Sequence, residues 1–126
     1  ELFACITRAK ELGLITIVCA DSTTESKAVA ELGADVILAE PTALIGTGTT
    51  ADASYTVECC KEIKKVNPDT KVMIASGITT GEDVYKVVYY GADGSGSTSG
   101  IVNATSRAGR VNEMVVALLK AMEDRK

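Results

Sequence analysis

Apolar residues recur at helical spacing from the first residues of the chain, at Leu2, Cys5, Ile6, Ala9 and Leu12, and Gly13 supplies a stop. The period then changes. Ile15-Thr16-Ile17-Val18-Cys19-Ala20 is a continuous run with β-branched residues at four positions, which predicts a strand. Asp21-Ser22-Thr23-Thr24 turns into a second helix that reaches Leu32, with Ala28, Val29 and Leu32 on one face and Gly33 at its end. Asp35 to Ala39 reads as a second strand. A third helix carries Tyr55, Cys59, Ile63 and Val66 and stops at Asn67-Pro68, because proline cannot continue it. Lys71 to Ala75 is a third strand, and Ser76 to Asp83 is a loop and helix start. The helix that follows buries Val84, Val87, Val88 and Gly91. A closing helix places Val111, Met114, Val115, Leu118, Leu119 and Met122 on one face, a core stripe.

The segment before the closing helix, Asp93-Gly94-Ser95-Gly96-Ser97-Thr98-Ser99-Gly100, is small and polar throughout and by composition could be a linker. Its place in the order of elements makes it a strand instead. Gly91-Ala92-Asp93 precedes it just as Gly33-Ala34-Asp35 precedes the second strand, and Thr23-Thr24 and Thr79-Thr80 stand at corresponding helix starts. The chain is thus an α/β sequence, a helix followed by four parallel strand-helix units with short, right-handed connections. Four such units make half of an eight-stranded barrel or most of a small doubly wound sheet of the flavodoxin or receiver kind. A receiver needs clustered acidic residues after its first strand and a late strand-end Lys. Here Asp21 stands alone and no such Lys occurs.

At 126 residues the chain has the length of a single domain, 1–126, or of a piece of a larger one; it begins inside a helical pattern without a Met, and an N-terminal portion is expected to be missing. A net charge of −4 and dispersed Lys and Arg remove the footprint of a nucleic-acid partner, and no apolar run is long enough for a membrane. Cys5, Cys19, Cys59 and Cys60 form no C-x-x-C pair, and there is no His to complete a zinc site, so no metal or cofactor is expected. They read as buried thiols of a cytosolic protein. Cys59-Cys60, side by side on a helix, point about 100° apart, which argues against a redox pair.

Chemistry is concentrated at three strand ends. Val36-Ile37-Leu38-Ala39 delivers Glu40 to the carboxyl end of its strand, where α/β folds place their sites. The loop after it, Pro41 to Gly48, carries two glycines and can move and bring N–H groups to an oxyanion. A carboxylate beside such a loop suits proton transfer under a lid, or a surface loop capped by a strand-end Glu. Ser76-Gly77 and Ser97-Thr98-Ser99-Gly100 combine Gly with hydroxyl residues; backbone N–H groups there, with a short helix N-terminus after Gly100, suit a phosphate dianion or serve as structural turns.

Glu40-Pro41 with Leu44-Ile45-Gly46-Thr47-Gly48, then a strand ending in Gly77-Ile78 before Gly81-Glu82-Asp83-Val84, then Gly91-Ala92-Asp93-Gly94 with Ser99-Gly100-Ile101, resembles the triosephosphate isomerase family, in its compact archaeal type and bacterial relatives. The likeness spans essentially the whole chain in the family's order. It implies the C-terminal half of a (β/α)8 TIM barrel, strands five to eight with their helices. It also implies interconversion of dihydroxyacetone phosphate and glyceraldehyde 3-phosphate through an enediol. By position Glu40 matches the general base, Ile45 and Gly46 the lid over the substrate phosphate, Gly77 the glycine after the seventh strand, and Thr98 and Ser99 the paired backbone donors after the eighth. A homo-oligomer, dimer or tetramer, is implied at full length.

The departures are specific. The family's Asn and Lys after the first strand and its electrophilic His after the fourth have no counterpart, Pro41-Thr42-Ala43 stands for a Pro-Pro-Glu start, Thr49 to Ala53 is shorter than usual, and Gly94-Ser95-Gly96-Ser97 replaces an apolar eighth strand. The 126 residues alone are therefore expected to self-associate and to lack turnover. Rival readings are another phosphate-sugar barrel, such as an epimerase or synthase, and a half barrel that binds phosphate or assembles without catalysis.

Overall fold

The computed structural model describes residues 1–125. Its elements follow the order α1 (Leu2–Glu11), β1 (Ile17–Ala20), α2 (Thr23–Glu31), β2 (Val36–Ala39), a 3-10 turn (Thr42–Leu44), α3 (Ala53–Val66), β3 (Lys71–Ile74), α4 (Gly81–Tyr89), β4 (Gly94–Ser95), α5 (Ser99–Val102) and α6 (Arg107–Asp124). The four strands form one parallel sheet in the order β1-β2-β3-β4. In register, Ala20 lies beside Ala39 and Ala39 beside Ile74, and Ile74 lies beside Ser95. Residues that follow these positions therefore emerge together on one rim, the carboxyl ends of the strands. The architecture is that of a half barrel.

Strand alternation divides the sheet. Ala20, Ile37, Ala39, Val72 and Ile74 are buried beneath the helices, whereas Ile17 and Cys19 are exposed and Val36, Leu38 and Met73 half-buried on the other face. Ile63, Val87 and Val88 of the helix layer are buried as completely as Ile37, Val72 and Ile74, and each of these six aliphatic side chains stabilises the fold by roughly 1.5–3 kcal/mol. The helices start where polar caps permit: Ser22, Asp52, Thr80 and Ser106 each accept an N–H from the first turn.

The internal repeat has a structural basis at the opposite, amino-terminal rim. Gly33 and Gly91 take positive φ (+82° and +127°) to end α2 and α4, Ala34 and Ala92 are buried, and each following Asp serves the neighbouring strand. Asp35 Oδ2 accepts the Thr16 N–H and hydroxyl at 2.8 and 2.7 Å; Asp93 Oδ2 accepts the Val72 N–H at 2.9 Å. Lys10 and Lys64, from the equivalent preceding helices, pair with these carboxylates at 3.3 and 3.1 Å. Burial raises the Asp93 pKa, but the Val72 N–H and the Lys64 charge outweigh it and hold the carboxyl below its ordinary value.

Several elements are shorter or differently faced than their sequences predict. β1 begins at Ile17 because Thr16 is tied to Asp35, and Ile15, at an unpaired edge, is 79% exposed. β4 pairs over two residues only, as its glycines and serines offer little to pack. The short helix α5 starts at Ser99, before Gly100 rather than after it. On α6 only Met114 of the expected stripe is buried, with Leu118 packed against the core and the unexpected Ala121 fully buried; Val111, Val115, Leu119 and Met122 are exposed. The same holds for α1, where Ile6 is buried and Leu2, Cys5 and Leu12 are not. On α2, Ala28 faces solvent while Ser26 and Ala30 join Val29 inside.

Candidate active site

Glu40 is the first residue beyond β2. Its N–H continues the ladder to Ala20 O at 2.9 Å, and its carboxylate has no hydrogen-bond or ion-pair partner among the described residues. Pro41 and the 3-10 turn carry the chain up and away, and Gly46 and Gly48 at φ +73° and +72° bend it back. The returning limb lies on Gly77, where a Cβ would fall 1.9 Å from Thr49 O, so only glycine fits. Thr50 completes that contact, its hydroxyl 3.4 Å from Gly77 O and 3.1 Å from Asp83 Oδ1.

The loop after β3 is over-determined. Ser76 is buried at φ +81°, a left-handed conformation that costs a residue with a Cβ about 1–2 kcal/mol. Asp83, third residue of α4, accepts from both the N–H and the hydroxyl of Thr79 and of Thr80 at 2.9–3.0 Å, the capping-box geometry. Burial pushes its pKa up, the four donors pull it down further, and the net shift is downward. From α6, Arg110 donates to Thr79 O, and Glu113 Oε1 accepts the Gly81 N–H at 2.6 Å. Ser97 Oγ donates to Ile78 O at 2.6 Å, and a Cβ on Gly100 would meet Thr79 Cα at 2.6 Å, which presses the loops after β3 and β4 together.

Between these loops lies a cavity of about 510 Å³, within the usual size of a small-molecule site. Glu40, Ile45, Gly46, Gly77, Thr98 and Ser99, the residues singled out by sequence, all line it. The N–H groups of Gly46, Gly77, Thr98 and Ser99 donate no hydrogen bond within the described residues, whereas that of Ile45 is taken by Thr42 O at 3.2 Å. Among the described residues no Lys or Arg lines the cavity, so an anion there would be met by backbone N–H groups and hydroxyls. Ser76, Ser97 and Asn103 also line it, and of these only Asn103 has no signal in the sequence. The two serines sit inside motifs already noticed; Asn103 lies beyond them, in a stretch with no pattern of its own.

No group of three metal-ligating side chains occurs among the described residues. Burial pushes the Cys59 thiol up and the Cys60 thiol up to about 12, so both remain protonated near neutrality.

Half a parallel barrel with glycine-bearing loops around a cleft at its carboxyl rim defines a protein of the TIM-barrel fold. Solved structures agree on the fold: 3-hexulose-6-phosphate synthase from Salmonella typhimurium superposes with a TM-score of 0.69 at 23% identity, over 95% of this chain and 56% of that one. Thiamine phosphate pyrophosphorylase from Pyrococcus furiosus does so at 0.72 and 19%, over 92% and 55%. The family model for triosephosphate isomerase matches residues 2–118, and the chain belongs to that family. It is 38% identical to the triosephosphate isomerase of Methanocaldococcus jannaschii over 118 residues, 91% of this chain and 54% of that protein. It is 36% identical to that of Sulfurisphaera tokodaii over 129 aligned residues, all of this chain and 56% of that protein. The chain thus spans about half the length of the curated relatives it matches.

Proposed function

We propose that this chain forms the base-bearing half of a triosephosphate isomerase, folding as one unit over residues 1–126. The observation that carries the reading is the convergence of Glu40 and the unoccupied N–H groups of Gly46, Gly77, Thr98 and Ser99 on one cavity. The phosphate of a triose is held by those N–H groups, which need no cationic side chain. Glu40 takes the proton from the carbon next to the carbonyl; the electron pair moves to the carbonyl oxygen, which gains a proton, and an enediol forms. Returning the proton to the neighbouring carbon, while the hydroxyl on the first carbon gives up its proton and becomes the new carbonyl, completes the exchange of aldose and ketose. Closure of residues 42–48 keeps water from the enediol. The electrophile that polarises the carbonyl comes from outside these residues, since the chain has no His. A cytosolic setting fits four free thiols.

The test is Glu40→Gln in the complete chain that carries residues 1–126, assayed with glyceraldehyde 3-phosphate. Turnover should fall about 10²–10⁴-fold, the range for loss of a general base, while the affinity for inorganic phosphate stays within about twofold. A parallel fall in both would make Glu40 a structural residue. Turnover of a different sugar phosphate in preference to the triose would favour the epimerase or synthase reading.

A further inference from the structure

Resting on the reading of residues 42–48 as a lid beside a catalytic Glu40, we propose that Asp21 and Ser76 are positioning residues. Together they clamp one peptide unit, Pro41–Thr42, and so set the direction in which the lid leaves Glu40. Both polar ends of that peptide are held. Ser76 Oγ donates to Pro41 O at 2.9 Å, and the Thr42 N–H donates to Asp21 Oδ1 at 2.6 Å. Pro41 O also accepts the Leu44 N–H at 2.9 Å, which closes the 3-10 turn and fills the second lone pair of the carbonyl.

The two side chains come from opposite sides. Asp21 follows β1 and Ser76 lies just beyond β3, while Pro41 lies beyond β2 between them. The pyrrolidine ring fixes φ of Pro41, leaving rotation of the peptide plane about its neighbouring bonds as the soft degree of freedom. A clamp of this polarity opposes that rotation. Turning the peptide over would set its carbonyl oxygen against the Asp21 carboxylate and its N–H against the Ser76 hydroxyl. The bond from Thr42 also holds Asp21 below its ordinary pKa, so the acceptor is anionic throughout the neutral range.

Ser76 supplies the second line of argument. At φ +81° glycine is the unstrained choice, and Ser76 is buried there nonetheless. Strain of that kind persists where the side chain is used. Here the use is the bond to Pro41 O. Its neighbour Gly77 bears the returning limb of the lid, so one dipeptide meets both ends of the loop.

The experiment is amide hydrogen exchange, resolved by residue, on the complete chain that carries residues 1–126, comparing Asp21→Ala, Ser76→Ala, Ser76→Gly and the Asp21→Ala/Ser76→Ala double variant. In Ser76→Ala the diagnostic amide is Thr42, whose own acceptor is untouched; in Asp21→Ala it is Leu44. Each should exchange about fivefold faster, the loss of one ordinary hydrogen bond, with Val87 and Val88 of α4 unchanged. Ser76→Gly should match Ser76→Ala, since it removes the strain along with the hydroxyl. The double variant should expose Ile45 and Thr47 little more than either single change, because a peptide freed at one end no longer presents the other. Multiplying effects, acceleration spread into α4, or unchanged diagnostic amides overturn the clamp. With glyceraldehyde 3-phosphate, Asp21→Ala and Ser76→Ala should lower kcat several-fold with KM within about twofold; an unchanged kcat overturns the positioning role. Absence of any turnover in the unsubstituted chain would sink the isomerase reading and leave the exchange result to decide the clamp.

Discussion

The two rims of the sheet treat their polar groups differently. At the amino-terminal rim Asp35 and Asp93 each meet a backbone N–H of the neighbouring strand and a Lys from the helix layer, so their charge is spent on joining strands. At the carboxyl rim Glu40, also at a strand end, has no partner among the described residues, and four N–H groups near it are likewise without acceptors. Unmet polar groups at a surface cleft remain available to a ligand, whereas the same groups in a core would cost stability. The rim where the fold leaves its hydrogen-bonding capacity unfilled is the rim where chemistry can occur.

That contrast is broken most severely by Gly77→Ala. The new methyl would sit at φ +69° and overlap Thr49 O, so the backbone at Thr49 and Thr50 has to move. A cost of about 2–4 kcal/mol is expected from strain and overlap together, with affinity for inorganic phosphate reduced at least tenfold. Urea unfolding and a phosphate titration on the complete chain measure the two. Unchanged phosphate binding would remove Gly77 from the site. At the other rim Asp93→Ala should cost about 1–3 kcal/mol by stranding the buried Val72 N–H, and should leave phosphate binding alone. A loss of binding in Asp93→Ala would mean that the rims are not independent.

Much of this was legible in the residues. The order of elements followed from the change of period and from Gly13, Gly33 and Pro68, because those signals are local. The stretch from Glu40 to Gly48 was readable as a strand end and its loop because a carboxylate ending an apolar run, followed by Pro and two Gly, is a short-range pattern; the repeat pointed to Asp35 and Asp93 for the same reason. What escaped reading depends on partners distant in the chain. The stripe of α6 looks continuous, yet α6 packs mainly on α4, and of the stripe only Met114 and Leu118 reach the core. Asp21 seemed an isolated acid until the fold set it 2.6 Å from the Thr42 N–H, and the hydroxyl of Ser76 gained a partner only through Pro41, thirty-five residues away in sequence.

The smallest expected effect separates the rims by pH. Asp83 at the carboxyl rim and Asp93 at the amino rim both have folded-state values below the ordinary carboxylate value, in each case against the upward push of burial. A group whose value is lower in the folded state binds fewer protons there than when unfolded. Its contribution is therefore complete above the unfolded value, near pH 4, and is lost as pH falls through the folded value. Urea midpoints measured from pH 6 down to pH 3 should decline for the unsubstituted chain, and Asp83→Asn and Asp93→Asn should each start lower and decline less. The two variants then diverge in what else changes. Asp83 alone gathers Thr79, Thr80 and Thr50, and through Thr50 it holds the limb that lies on Gly77. Asp83→Asn should therefore weaken phosphate binding at neutral pH by a few-fold, and Asp93→Asn should not. Equal binding in both would assign Asp83 to the cap of α4 alone and leave its bond with Thr50 without a part in binding.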